Sequence, residues 1–149
     1  MKTIKGDLIK LAKDGTFNVI GHGCNCFCTM GSGIAKSIKQ NFPQAYDADL
    51  KTRKGNKKKL GTCTFATINP LDLIVVNAYT QFQYGRDRVH ADYDAIRSCM
   101  SWIVESFPRS RIGLPKIGAG LAGGDWNRIY RIIEEEMSEV DVTIVEYIR

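Results

Sequence analysis

His22-Gly23-Cys24-Asn25-Cys26-Phe27-Cys28-Thr29-Met30-Gly31-Ser32-Gly33-Ile34-Ala35 is the stretch from which the chain is read. The apolar run Phe17–His22 leads into it as a buried strand. Ile34–Phe42 leads out of it with helical spacing and stops before Pro43. A strand that ends in glycines at a helix N-terminus presents free backbone N–H groups and the positive end of the helix dipole. A second stretch repeats the plan: Leu114-Pro115-Lys116-Ile117-Gly118-Ala119-Gly120-Leu121-Ala122-Gly123-Gly124-Asp125-Trp126. Two such cradles in one small domain point to a ligand with several anionic groups.

Outward from these loops, strand and helix patterns alternate. Lys2–Lys5, Thr62–Ile68, Leu71–Tyr79, Ile112–Ile117 and Val142–Ile148 read as strands. Ala45–Arg53 reads as a short helix. Tyr93, Ile96, Met100, Ile103, Val104 and Phe107 form one helical stripe, and Trp126, Ile129, Tyr130, Ile133 and Met137 form another. This alternation predicts a single α/β domain spanning 1–149, a sheet with helices on both faces. Ligands of such sheets bind at the carboxyl ends of strands, where both glycine loops fall.

The chain has 149 residues, 44% hydrophobic and 25% charged, which suits one soluble domain with a real core. Nothing at Met1–Leu11 reads as a signal peptide, and no apolar run approaches the ~20 residues needed to span a bilayer. A cytoplasmic monomer without membrane contact is expected. Cys24, Cys26, Cys28, Cys63 and Cys99 make an odd count, which argues for reduced thiols. Cys24-x-Cys26-x-Cys28 lacks a second ligand pair, and His22 and His90 do not make a zinc-type spacing, so neither a metal nor a cofactor is expected. The net charge of +5 is concentrated in Lys51, Arg53, Lys54, Lys57, Lys58 and Lys59. That run is either a solvated loop or a footprint for phosphate or nucleic acid, although no aromatics interleave it.

Gly118–Gly123 is formally G-x-G-x-x-G, but only one strand follows it, which disfavours a dinucleotide-dependent oxidoreductase. Gly31-Ser32-Gly33 lacks the Gly-Lys-Ser/Thr of a P-loop. Asp7, just past the first strand, is either a cap or an acceptor for an adenine amino group. His22 and Asn25 flank the first cradle; histidine there is either structural or an acid–base group. Asp125 reads as a helix N-cap, with general base as its alternative role. Tyr79–Asp87, with Thr80 near its start, suits a substrate-contact loop. Tyr147 sits in the last strand, as a core residue or a stacking partner for a base.

Gly6-Asp7-Leu8, then His22-x-Cys24-Asn25-Cys26 with Met30-Gly31-Ser32-Gly33-Ile34-Ala35, then Pro115-Lys116-Ile117-Gly118-Ala119-Gly120-Leu121, resembles a macro domain over nearly the whole chain. The branch it is similar to comprises the ADP-ribose 1''-phosphate phosphatases and the terminal ADP-ribose protein glycohydrolases, in the compact form of bacteria and their phages. The resemblance implies a mixed sheet in an α/β/α sandwich and a cleft for ADP-ribose. It implies that Asp7 and Leu8 hold the adenine, with Tyr147 near it. The backbones of Gly31–Ala35 and Gly118–Gly123 take the diphosphate, and His22 and Asn25 lie near the distal ribose.

One position departs from the glycohydrolase pattern. Ala122 stands where that branch carries an aspartate, and no lysine lies between Leu60 and Pro115. A lysine–sugar intermediate is therefore not expected. The function expected from this reading is hydrolysis of ADP-ribose 1''-phosphate, with His22 as acid or base and Asn25 orienting the ribose hydroxyls or the attacking water. An ADP-ribose reader without turnover, and an eraser of ADP-ribose from protein or nucleic acid, are the alternatives.

Overall fold

The computed structural model describes residues 1–148, in the order β1 (Lys2–Gly6), α1 (Leu8–Lys13), β2 (Val19–Cys24), α2 (Gly33–Asn41), α3 (Pro43–Leu50), a 3-10 turn (Lys57–Lys59), β3 (Cys63–Ile68), β4 (Leu73–Tyr79), α4 (Tyr93–Ser106), β5 (Arg111–Leu114), α5 (Trp126–Glu136) and β6 (Asp141–Tyr147). The six strands form one mixed sheet in the order β1-β6-β5-β2-β4-β3. Every pairing is parallel except β3 with β4.

Side-chain alternation in the strands fixes two cores. Leu73 and Val75 of β4 pack with α1, α2 and α3, through Leu8, Ile9, Ala12, Ile38 and Ala45. Val76 and Ala78 face the other way and pack with α4 and α5, through Ile96, Met100, Ile103, Ile129 and Ile133. Each of these buried isoleucines contributes roughly 1.5–3 kcal/mol by leaving water. The result is the expected α/β/α sandwich of mixed strands.

Most bounds shift by a few residues, and two differences have clear reasons. β5 stops at Leu114 rather than Ile117, because Pro115 has no N–H to give the ladder. α1 is a helix that the sequence pattern does not mark: Asp7 Oδ1 accepts from the Ile9 and Lys10 N–H groups at 3.0 and 3.3 Å and starts it. Among the described residues, no helix is long and apolar enough to cross a membrane.

Candidate functional site

The strands β1, β6, β5, β2 and β4 run parallel, so their carboxyl ends share one edge of the sheet. Neighbouring β2 and β5 send their chains to opposite faces, β2 to α2 and β5 to α5. A crevice opens where neighbouring strands diverge in this way. Here it holds an inner cavity of about 710 Å³ over β2 and β4. An outer cavity of about 860 Å³ lies over β1 and β6. Gly33, Ile34, Pro115, Lys116 and Gly120 line both, so the two are one groove with a waist between the glycine loops.

The waist is built from backbone. Ser32 is the N-cap of α2 but makes no side-chain cap bond, so its hydroxyl does not occupy the first N–H groups of that helix. Gly33 has φ +60°, and a Cβ there or at Gly120 would meet no protein atom within 4 Å. The space a side chain would fill is groove. Lys116 lines both cavities, with Nζ 3.3 Å from Glu146 Oε1 and 5.7 Å from the Trp126 ring.

Asp7, Leu8, Ala119 and Tyr147 line the outer cavity. Asp7 spends Oδ1 on capping α1, so the cap reading holds, while its place at the cavity leaves the second role open. Tyr147 is 67% exposed, too open for a core aromatic.

The inner cavity is lined by Asn25, Met30, Gly31, Ser32, Gly33, Ile34 and Ala35 on one side and by Pro115, Lys116, Ile117, Gly118, Gly120, Leu121 and Ala122 on the other. Asn25 is locked at both ends of its amide: Nδ2 donates to Thr29 Oγ1 at 2.7 Å and Oδ1 accepts from the Phe27 N–H at 2.8 Å. Asp49, from α3, lies on the same lining and is 1% exposed. Its Oδ1 accepts from the Tyr79 hydroxyl at 2.7 Å and stands 3.9 Å from Lys59 Nζ. Burial pushes its carboxyl above the usual range, opposed by Tyr79, then Lys59, then Cys28.

Several expectations need correcting. His22 is wholly buried within β2 and does not line the groove. Its Nε2 lies 2.8 Å from Asn77 Oδ1, and burial lowers its pKa to about 4. A buried imidazole has no open path to a ribose, because strand alternation puts it, like Ile20 and Asn77, on the sheet face covered by α3. Thr80 is also buried, against Gly23, with its hydroxyl unpartnered among the described residues. Gly123 takes φ +72° beside Val89, outside both cavities. Asp125 caps α5 by accepting from the Asn127 N–H at 3.0 Å, also outside both.

Within the basic run, Lys51, Arg53, Lys54, Lys57 and Lys58 are exposed, but Lys59 is 7% exposed. Asn56 Oδ1 caps the 3-10 turn through the Lys58 N–H at 2.9 Å, and the turn rotates Lys59 inward to Asp49. The three clustered cysteines diverge. Cys24 meets the His22 ring, while Cys26 donates to Gln81 O and Cys28 to Asp49 O. Among the described residues, no group of three His, Cys, Asp or Glu side chains is placed to hold a metal.

The sequence model for the Macro domain matches residues 22–133. The chain belongs to the macro domain family. An uncharacterized 17.5 kDa protein of Enterobacteria phage T4 is 36% identical over 99% of this chain and 96% of its own length. An ADP-ribose 1''-phosphate phosphatase of Candida albicans is 24% identical over 89% of this chain and 90% of its own. Thermosipho africanus DarTG, solved in complex with ADP-ribose, has the same fold, with a TM-score of 0.75 at 20% identity; the match covers 99% of this chain and 41% of that longer one.

This macro domain also has a groove residue that sequence reasoning missed. Asp49 lies in α3, where no motif points to it. Gln81, Tyr84 and Arg86 line the inner cavity from the loop after β4, the stretch whose position suits a substrate-contact loop. That loop also supplies the aromatics that the basic run lacked in sequence. Phe27 and Phe82 meet edge to face at 5.1 Å, Tyr84 lies 6.4 Å from Phe27, and Lys57 Nζ is 5.4 Å from the Phe82 ring. No local sequence signal joins residues 25 or more positions apart.

Proposed function

We propose that this macro domain binds ADP-ribose along the groove and hydrolyses ADP-ribose derivatives, removing phosphate from ADP-ribose 1''-phosphate. The observation that carries this reading is the waist. Two cavities of comparable size meet between two backbone N–H cradles, beside Lys116. That shape suits a molecule with a group at each end and a diphosphate between them. The adenosine end fits the outer cavity, where Asp7 can accept from the exocyclic amine and Tyr147 can stack. The distal ribose fits the inner cavity, where Asn25 is held rigid to meet its hydroxyls. The name of the Candida albicans relative supports the phosphatase.

A second reading has one observation in its favour. The Phe27, Phe82 and Tyr84 cluster beside Lys57 offers stacking faces next to cations, the combination that holds single-stranded nucleic acid. It would make the protein an eraser of ADP-ribose from nucleic acid. Turnover measured side by side on ADP-ribose 1''-phosphate, ADP-ribosylated protein and ADP-ribosylated single-stranded DNA, with ADP-ribose calorimetry, separates the readings. Phosphate release from the first substrate alone supports the phosphatase. Binding of ADP-ribose without turnover of any substrate rejects both enzyme readings.

A further inference from the structure

We infer that Asp49 is the catalytic acid–base residue of the inner cavity, held in place by Tyr79 and Lys59; this rests on the hydrolase reading above. Among the described residues, Asp49 is the one carboxylate that lines the inner cavity. It faces the groove shared with the glycine loops, and no histidine does.

A directed hydrogen-bond chain ends on it. The Ala45 carbonyl can only accept, so Asn77 turns Nδ2 toward it at 2.9 Å. Asn77 Oδ1 therefore faces His22, which must donate from Nε2 at 2.8 Å. Asn77 Nδ2 also donates to Thr64 Oγ1 at 3.0 Å. The hydroxyl of Tyr79 has one proton, and the carboxylate of Asp49 takes it at 2.7 Å. Thr64 must then donate to the Tyr79 oxygen at 3.0 Å. From Asn77 through Thr64 and Tyr79, each donor points toward Asp49. This explains why His22 and Asn77 are buried polar residues in the middle of the sheet: they fix the far end of the chain.

The other groups around Asp49 are arranged to keep it ready. Lys59 Nζ is 3.9 Å from Oδ1, donates to Cys26 O at 3.2 Å and lies 4.6 Å from the Tyr79 ring centroid. Cys28 donates to the Asp49 backbone carbonyl at 3.3 Å; the thiols of Cys24 and Cys26 turn elsewhere, to the His22 ring and Gln81 O. Tyr79 and Lys59 both engage Oδ1, which leaves Oδ2 for the groove. Burial raises the carboxyl above its ordinary value, which favours its taking a proton.

The step balances without any further reactant. Asp49 takes a proton from water, and the water oxygen bonds to phosphorus as the P–O1'' bond breaks. The electron pair of that bond stays on O1'', which takes the proton back from Asp49. One ester and one water give ADP-ribose and inorganic phosphate.

The test compares wild type, Asp49→Asn and Tyr79→Phe for kcat against pH, ADP-ribose affinity and thermal midpoint. Asp49→Asn is expected to lower kcat by about 10²–10⁴-fold, with affinity within a few-fold. Tyr79→Phe removes a bond that holds the Asp49 pKa down, so the acidic limb of its kcat profile is expected to move to higher pH. A purely structural tyrosine would leave that limb in place. Asp49→Asn with kcat within threefold of wild type overturns the assignment and leaves the hydrolase reading standing. If Asp49→Asn does not fold, an unmoved limb in Tyr79→Phe overturns it instead. Turnover of ADP-ribosylated targets alone, lost in Asp49→Asn, keeps Asp49 and rejects the phosphatase. A wild type that binds ADP-ribose and turns over none of these substrates overturns both.

Discussion

At the outer end of the groove Tyr147 is 67% exposed and Asp7 stands on the first turn of a six-residue helix. At the inner end Asp49, Tyr79, Asn77 and His22 are all buried, and hydrogen bonds join them across α3, β3, β4 and β2. An exposed lip can select a ligand at small cost, because its side chains stay solvated until the ligand arrives. A buried polar chain is costly unless every member is paired, and once paired it holds its groups in one geometry. Recognition can use the first kind of structure; proton transfer needs the second. The waist joins them, and it is made of backbone.

The largest break in this comparison should come at the waist. Gly33→Val places a β-branched residue at φ +60° and its side chain in the groove. Loss of ADP-ribose affinity on the order of 10³-fold, ~4 kcal/mol, is expected, with the circular dichroism spectrum of wild type. Near-normal affinity in the folded variant would remove the diphosphate from this place.

The inner end is expected to show itself in acid. Burial lowers the His22 pKa to about 4 from its ordinary value of 6.5. Between those values the unfolded chain binds the proton that the buried ring refuses. Its stabilising contribution is complete above about pH 6.5 and is lost as pH falls toward 4, about 3 kcal/mol in all. The raised Asp49 pKa acts in the opposite sense, adding stability as pH falls through it. Comparison with His22→Gln, which keeps Asp49, cancels that part. Urea titrations at pH 7.5 and pH 5 should show wild type losing about 2 kcal/mol more than His22→Gln. Parallel losses would mean that water reaches the ring.

The outer end should respond mainly in binding, with a smaller effect on stability. Asp7→Ala is expected to weaken ADP-ribose binding by about 1.5–3 kcal/mol and to destabilise α1 by ~1 kcal/mol as a lost cap. IDP-ribose, which lacks the adenine amine, reads the first effect alone. If the variant still discriminates against it as wild type does, Asp7 only caps the helix.

The two ends also differ in how far the sequence exposed them. The glycine loops, Asp7 and Tyr147 were legible because a strand end, a cap or a lone strand aromatic is a local pattern. So were the sheet, its flanking helices apart from α1, and the cap at Asp125. The inner floor was not. Asp49 lies in a helix of weak amphipathic pattern, and Lys59 sat in a charge run that read as solvated. Their pairing depends on a 3-10 turn that rotates one of the run's five lysines inward. His22 misled for a related reason. It stands beside the cradle in sequence, but strand alternation turns it under α3 on one face of the sheet, while Asn25, one residue beyond the strand, reaches the groove.

The smallest effect separates a residue near the groove from one within it. Asp125 is exposed and caps α5 through Asn127 N–H, while its own N–H donates to the Tyr93 hydroxyl at 3.0 Å. Asp125→Ala removes the side-chain bond and keeps the backbone one. The apolar stripe of Ile129, Ile132 and Ile133 still anchors the helix. A loss of about 0.5–2 kcal/mol is expected, which is a few degrees of melting temperature for a domain of this size. ADP-ribose affinity and kcat should stay at the wild-type level, because the side chain lines neither cavity. A variant that melts like wild type yet has lost turnover would make Asp125 the base, and would move the chemistry away from the buried chain to the second glycine loop.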